Sequence, residues 1–205
     1  GAAVLLDVGA NVDCRPEHLV EFARLGVAYA TATLGMLKPR IGLLSIGEED
    51  GKGNDLIRDV DARLRASALA YIGNLEARDL FTGKADVAVC DGFTGNIALK
   101  IGEGLVEAVD SMAREALAAE DASTGDRDLA ERVLERLAKR LDAAEYGAAP
   151  LLGIDGLVLV GHGRSSPRAV ASGILLAADL ANAQLVQQVQ RAMGAVAGTE
   201  GVAST

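Results

Sequence analysis

An α/β fold, with helical layers on both faces of a mostly parallel sheet, follows from three features of this 205-residue sequence. Short apolar runs alternate with long amphipathic stretches, the runs are continuously apolar, and glycine-rich or polar loops follow them. The runs AVLLDV (3–8), IGLLSI (41–46), LAYIG (69–73), DVAVC (86–90) and LVLVG (157–161) read as strands. Their unbroken apolar character, rather than alternation, is that of strands buried on both faces. Between them, residues 16–34, 55–66, 97–119, 129–144 and 169–193 carry apolar side chains three or four apart and read as helices. The polar stretch EDASTGDRD (120–128) reads as a loop rather than a domain linker. We expect one α/β domain over 1–205 with a helical insertion at about 97–150, and no internal repeat.

Composition narrows the function classes. Aromatic residues are 3% of the chain and Trp is absent, so aliphatic side chains and alanine must fill the interior. A formal charge of −9 argues against a nucleic-acid groove, which needs a clustered basic face. Cys14 and Cys90 make neither a disulfide framework nor a four-ligand metal spacing, and a reducing, cytosolic setting suits them. No apolar run reaches the roughly 18 residues of a membrane-spanning helix. The chain opens at Gly1, without Met, and enters an apolar strand almost at once, so we expect that an N-terminal part is missing.

Ligands of an open parallel sheet collect outside the carboxyl ends of its strands. Four loops are expected there, on one edge and around one cleft: 7–11 (Asp7, Gly9, Asn11), 47–54, 91–96 and 161–166. In GEEDGKGND, Gly51 and Gly53 bracket Lys52, and Asn54 is placed to cap the next helix. A helix start with a mobile cation suits an anion. The spacing is not that of a Walker A loop, and Glu48, Glu49 and Asp50 repel phosphate, so a plain surface turn is the competing reading. In DGFTGN, Gly92 and Gly95 allow close backbone approach while Thr94 and Asn96 offer neutral donors, which suits phosphate or an oxyanion. A capped strand-to-helix turn accounts for the same residues. In GHGRSSP, His162 follows a strand and is a candidate general base or oxyanion donor, with Ser165 or Ser166 as cap and Pro167 in the first turn. Asp7 and Asp91 have two readings, as magnesium ligands or as acceptors of loop N–H groups. His18 reads as a surface or packing residue, and Cys90, inside a strand, as a poor nucleophile. Leu129, Val133, Leu137 and Leu141, flanked by Arg132, Arg136, Lys139 and Arg140, read as a helix face packed on its own domain or a dimer mate. A membrane surface or an acidic carrier protein is the alternative for that basic helix.

Taken in order, VLLDVGANVDCRPEHLVEFA, IGLLSIGEEDGKGNDL, YIGNLEARDL, ADVAVCDGFTGNIALK, EYGAAPLLGIDG and GHGRSSPRAV resemble segments of the PlsX-type phosphate acyltransferases, from about residue 4 to about residue 181. The resemblance implies a fold like that of isopropylmalate dehydrogenases and phosphotransacetylases. It implies transfer of a fatty acyl group from acyl carrier protein to inorganic phosphate, giving acyl phosphate for phospholipid synthesis. A cytoplasmic homodimer, peripherally associated with the membrane and without metal or organic cofactor, is implied with it. Carried over by motif position, Lys52, Asn96 and His162 are the catalytic candidates. Gly51, Gly53, Asn54, Asp91, Gly92, Thr94, Gly95 and Asn11 are expected to line the phosphate site.

Three departures accompany the resemblance. The family's N-terminal region is not represented, so this stretch alone is expected to be inactive or poorly folded. GHGRSS stands where AHGSS-like residues are usual, and Ala148 stands where relatives usually carry glycine. Among rivals, a phosphotransacetylase would use coenzyme A thioesters, and an isopropylmalate-type dehydrogenase would need magnesium and nicotinamide. No GxGxxG follows a strand, which weakens the latter. A scaffold that binds carrier or membrane without chemistry is the non-enzymatic rival.

Overall fold

A computed structural model describes residues 3–118, 124–141, 147–163 and 165–200; of residues 124, 126, 138–141 and 195–200 only the backbone is described. Two compact units emerge, one comprising residues 1–98 with 183–205, the other residues 99–182.

The first unit is built on four parallel strands, β1 (Val4–Leu6), β2 (Ile41–Leu44), β3 (Tyr71–Leu75) and β4 (Val87–Val89), in the order β1-β4-β2-β3. Helix α1 (Pro16–Leu34) joins β1 to β2; Pro16 sits in its first turn and Gly35, φ +66°, closes it. Helix α2 (Asp55–Arg65) joins β2 to β3, and a 3₁₀ segment (Ala77–Phe81) leads towards β4. Leu19, Phe22 and Ala23 of α1 and Ile57, Val60 and Leu64 of α2 bury one face of the sheet over Ile41, Leu43, Val87 and Val89. On the opposite face Leu75, Ala85 and Ala88 pack with Leu5 and Leu80. Helix α6 (Leu185–Glu200) lies along α1 and buries Leu185 and Val189. A parallel sheet flanked by helices is the three-layer α/β/α class read from the sequence.

Helix α3 (Gly92–Ala118) begins in the first unit and continues into the second. The second unit also holds α4 (Thr124–Leu141), β5 (Ala148–Pro150), β6 (Leu159–Gly161) and α5 (Pro167–Asn182). Here the structure corrects the sequence reading of LVLVG as a strand of the parallel sheet. Strand β6 pairs antiparallel with β5. The connection of eight residues, 151–158, turns through Gly153 at φ +82° and is too short for a parallel crossover. The single helix expected over 169–193 is also two helices, broken where Gln184 takes φ 54°. Helix α4 starts at Thr124, inside the stretch read as a loop, whose positions 120–123 lie outside the described residues. Leu129, Val133 and Leu137, expected to pack on their own domain or on a dimer mate, are 57%, 47% and 49% exposed in the single chain. The side chains of Lys139, Arg140 and Leu141, and residues 142–144, lie outside the described residues.

At the amino edge of the sheet, the Arg40 guanidinium donates to both Asp86 oxygens at 2.9 Å, joining the starts of β2 and β4. Those hydrogen bonds hold the Asp86 carboxyl below the usual carboxylate range. Because the folded value is the depressed one, the stabilisation is complete above the unfolded value of about 3.9 and is lost as pH falls through the folded value. Denaturant melts should therefore find Asp86→Asn less stable than the parent at pH 6, with the gap closing towards pH 2.

Candidate functional site

Because all four strands of the first unit run parallel, the loops after β1, β4, β2 and β3 leave from one edge. Three of the four expected loops are there. The fourth, which carries His162, follows β6 and belongs to the second unit.

The loop after β1 is organised by a buried carboxylate. Asp7, 7% exposed, accepts the backbone N–H groups of Gly9 (2.9 Å), Ala10 (3.0 Å) and Asn11 (2.6 Å), and the Asn11 amide at 3.3 Å. Of the two roles read from the sequence for Asp7, fixing the loop backbone is the one its partners show. The Asn11 carbonyl in turn accepts the Gly92 N–H at 2.9 Å, tying this loop to the start of α3.

Asp91 caps α3, accepting Thr94 N–H at 2.8 Å and the Thr94 hydroxyl at 2.9 Å. The hexapeptide DGFTGN is thus the cap and first turn of the helix rather than a free loop. Gly95 is held against the β1 loop so closely that a Cβ there would stand 1.9 Å from the Asp7 carbonyl oxygen. Asn96, next along, is exposed and lies beside Gly9. Beneath this junction Cys90 donates to the Asp7 carbonyl at 3.4 Å, and burial pushes its thiol pKa up to about 12. Such a thiol is not a nucleophile at neutral pH.

The loop after β2 leads into α2. Asn54 caps the helix, accepting Ile57 N–H at 3.0 Å, and Gly51 and Gly53 take φ of +81° and +101°. Lys52 N–H donates to the Glu49 carbonyl at 3.2 Å, closing a turn that presents the lysine to solvent. The three acids that argued against phosphate do not act alike. Glu48 pairs with Lys84 at 2.9 Å and Asp50 with Arg65 at 2.5 Å, each drawn to a cation outside the turn, while Glu49 folds back over Gly47. Among the described residues, no acidic side chain pairs with Lys52. Strand β4 is the neighbour of β2 in the sheet, so the segments bearing Lys52 and Asn96 leave from neighbouring strand ends.

In the second unit His162 is exposed, and its carbonyl accepts Ser165 N–H at 2.9 Å and the Ser165 hydroxyl at 2.7 Å. Ser166, one of the two caps expected, accepts Ala169 N–H at 3.2 Å, and α5 starts at Pro167. Arg164 lies outside the described residues. His18, read as a surface or packing residue, accepts the Arg15 N–H on Nδ1 at 3.2 Å and so helps cap α1.

A family model described as fatty acid synthesis protein matches residues 1–188. The chain belongs to that family. Its relatives include phosphate acyltransferases of Acidobacterium capsulatum, 45% identical over 93% of the chain, and Thermodesulfovibrio yellowstonii, 45% identical over 94%. That of Citrifermentans bemidjiense is 47% identical over 88% of the chain. The chain covers 56%, 56% and 51% of these three proteins, so it spans about half the length of the curated relatives it matches. The resemblance to PlsX-type phosphate acyltransferases, read from six motifs, is upheld across nearly all of the chain.

The anchors of the glycine-lysine-glycine turn carry no motif in the sequence. Lys84 and Arg65 are distant in sequence, and Asn74 fell one residue beyond the expected strand. A polar side chain in an otherwise apolar run was the available signal.

Since Asp7 alone satisfies four donors, Asp7→Ala should lose about 3 kcal/mol in urea melts, and Asp7→Asn, which keeps one carbonyl acceptor, distinctly less.

Proposed function

We propose that the protein transfers a fatty acyl group from acyl carrier protein to inorganic phosphate, producing the acyl phosphate used in phospholipid synthesis. The observation that carries this reading is the Lys52 turn: an exposed lysine with no acidic partner among the described residues, beside a helix start, on the carboxyl edge of a parallel sheet, in a chain whose relatives are phosphate acyltransferases.

The chemistry asks little of the protein beyond placement and charge. A phosphate oxygen attacks the thioester carbonyl carbon, the tetrahedral oxyanion collapses, and the carrier leaves as thiolate. The proton of hydrogen phosphate ends on that sulfur, so atoms and charge balance. Phosphate is already a competent nucleophile, and holding it against the carbonyl supplies much of the acceleration. Lys52, with the Gly51–Asn54 backbone, is proposed to hold phosphate, and Asn96 to donate to the developing oxyanion. Gly92, Thr94 and Gly95 then serve by shaping the helix start, since Thr94 spends its hydroxyl on Asp91 and the Gly92 N–H is bound to Asn11. No metal or organic cofactor enters this scheme.

For His162 the proposal rests on the resemblance and on its exposed position just after β6. The same reading makes the protein a cytoplasmic homodimer in peripheral contact with the membrane. Exposed apolar residues on α3 (Ile101, Leu105, Val109, Met112) and α4 (Leu129, Val133, Leu137) support a further covering surface. No single described helix is long and apolar enough to cross a membrane; one bent pair, Pro167–Asn182 with Leu185–Gly194, passes by length and composition.

Phosphate-dependent loss of acyl carrier thioester is the direct assay. Lys52→Ala should slow it by about 10²–10³-fold, the worth of one preorganised charge donor. Near-normal acyl phosphate formation by that variant would remove Lys52 from the mechanism. Preference for an acyl coenzyme A donor would favour a phosphotransacetylase instead. His162→Gln should lower kcat by about 10²-fold if the imidazole transfers or donates a proton; an unchanged rate would leave it outside the chemistry.

A further inference from the structure

We infer that Asn74 is a positioning residue for Lys52, turned towards it by a bulge in β3; this rests on the phosphate-binding reading of Lys52 given above. Strands β2 and β3 pair Ile41 with Tyr71 but Leu43 with Asn74. Two residues along β2 therefore correspond to three along β3, and the extra one is accommodated where Gly73 takes φ +101°. The consequence is a change of face. In unbroken register Gly73 would oppose Leu43, and Asn74 would point to the opposite side of the sheet. With the bulge, Asn74 shares the face of Leu43, the one covered by α1 and α2, while Leu75 packs on the other face with Ala85 and Ala88.

On that face Asn74 is 4% exposed, a costly place for an amide unless it is used. Its Nδ2 donates to the Glu49 carbonyl at 3.4 Å. That same carbonyl accepts the Lys52 N–H. One oxygen thus joins the sheet to the turn and closes the turn around the lysine. The two ion pairs of the turn, Glu48 with Lys84 and Asp50 with Arg65, are exposed and adjustable. Asn74 is the buried tether between them. The amide orientation is fixed by the partner, since the reversed amide would set its oxygen against the Glu49 carbonyl oxygen.

The test reads the turn and the reaction separately, on the full chain. Backbone amide exchange at Lys52 is compared in the parent, in Asn74→Leu and in Asn74→Asp, both of which lack the donor, and in Asn74→Gln, which keeps it. Exchange at Lys52 should rise roughly tenfold in Leu and Asp, the worth of one hydrogen bond, and stay near the parent in Gln. Exchange in β2 and β4 monitors whether each variant is folded. In the acyl transfer assay Asn74→Leu should raise the KM for phosphate about tenfold with a smaller change in kcat. Combined with Lys52→Ala it should add nothing to the loss from Lys52→Ala alone. Unchanged Lys52 exchange in both donor-free variants, or additive losses in the double variant, would overturn the inference. Should Lys52→Ala itself keep full activity, the role of Lys52 falls, while the exchange data still decide whether Asn74 holds the turn.

Discussion

Parallel pairing of β4 between β1 and β2 is the constraint from which the rest of the first unit follows. Val89 stands opposite Leu6 on one side and Leu43 on the other, so three strand ends arrive together. Neighbouring strands lie only about 5 Å apart, which compresses three loops into the space of a small ligand. Loops so crowded cannot each keep their own conformation without side chains that arbitrate. Asp7 does this for the first, by gathering four donors, and Asp91 does it for the second, by capping α3. Where the two meet, the Gly92 N–H reaches the Asn11 carbonyl and there is no room for any side chain at Gly95. The glycines of DGFTGN are a packing requirement before they are anything else.

Around Lys52 the same crowding works through charge. Three consecutive acids next to a lysine proposed to hold phosphate would lower the local potential, and surface ion pairs contribute little to stability. Their value here is directional. Lys84, itself shared with buried Asp79, draws Glu48 aside, and Arg65, which also engages Asp61, draws Asp50. The cations that restrain the turn are thus the ones that cancel two of its three acids, and Lys52 is left exposed to solvent. An anion arriving there meets a charge that has no acidic partner among the described residues to give up.

Much of this was legible in the sequence, and the parts that were not share a cause. Caps at Asn54 and Ser166 and the start of α1 at Pro16 depend on local chemistry, and local chemistry is written in adjacent residues. The misreadings came where a distant contact overruled a local preference. Gly92 and Gly95 argue against helix by propensity, yet α3 begins there because the β1 loop needs the space. Gly73 looks like the end of a strand, and it is a bulge within one. Pairing of β5 with β6 could not be read from AAP, in which Pro150 and two alanines give almost no strand signal. Nor did any glycine or proline announce the break at Gln184. In the site, Lys52, Asn54 and Asn96 stood out by motif, whereas Asn74, Lys84 and Arg65 become visible only once register and ion pairs are known.

That asymmetry bears on how such a site tolerates change. Groups recognised by motif are those that would touch phosphate or the acyl carbonyl. Groups that hold them are recruited by topology: a bulge to turn one amide over, and a lysine and an arginine from segments packed alongside. A reaction whose nucleophile is supplied ready-made depends on placement to within a few tenths of an ångström more than on any single strong acid or base. Placement is spread across residues that no short motif contains. A sheet edge in which one carbonyl, that of Glu49, both closes the lysine turn and receives the tether from β3 ties the backbone that carries the cation to the strand register itself.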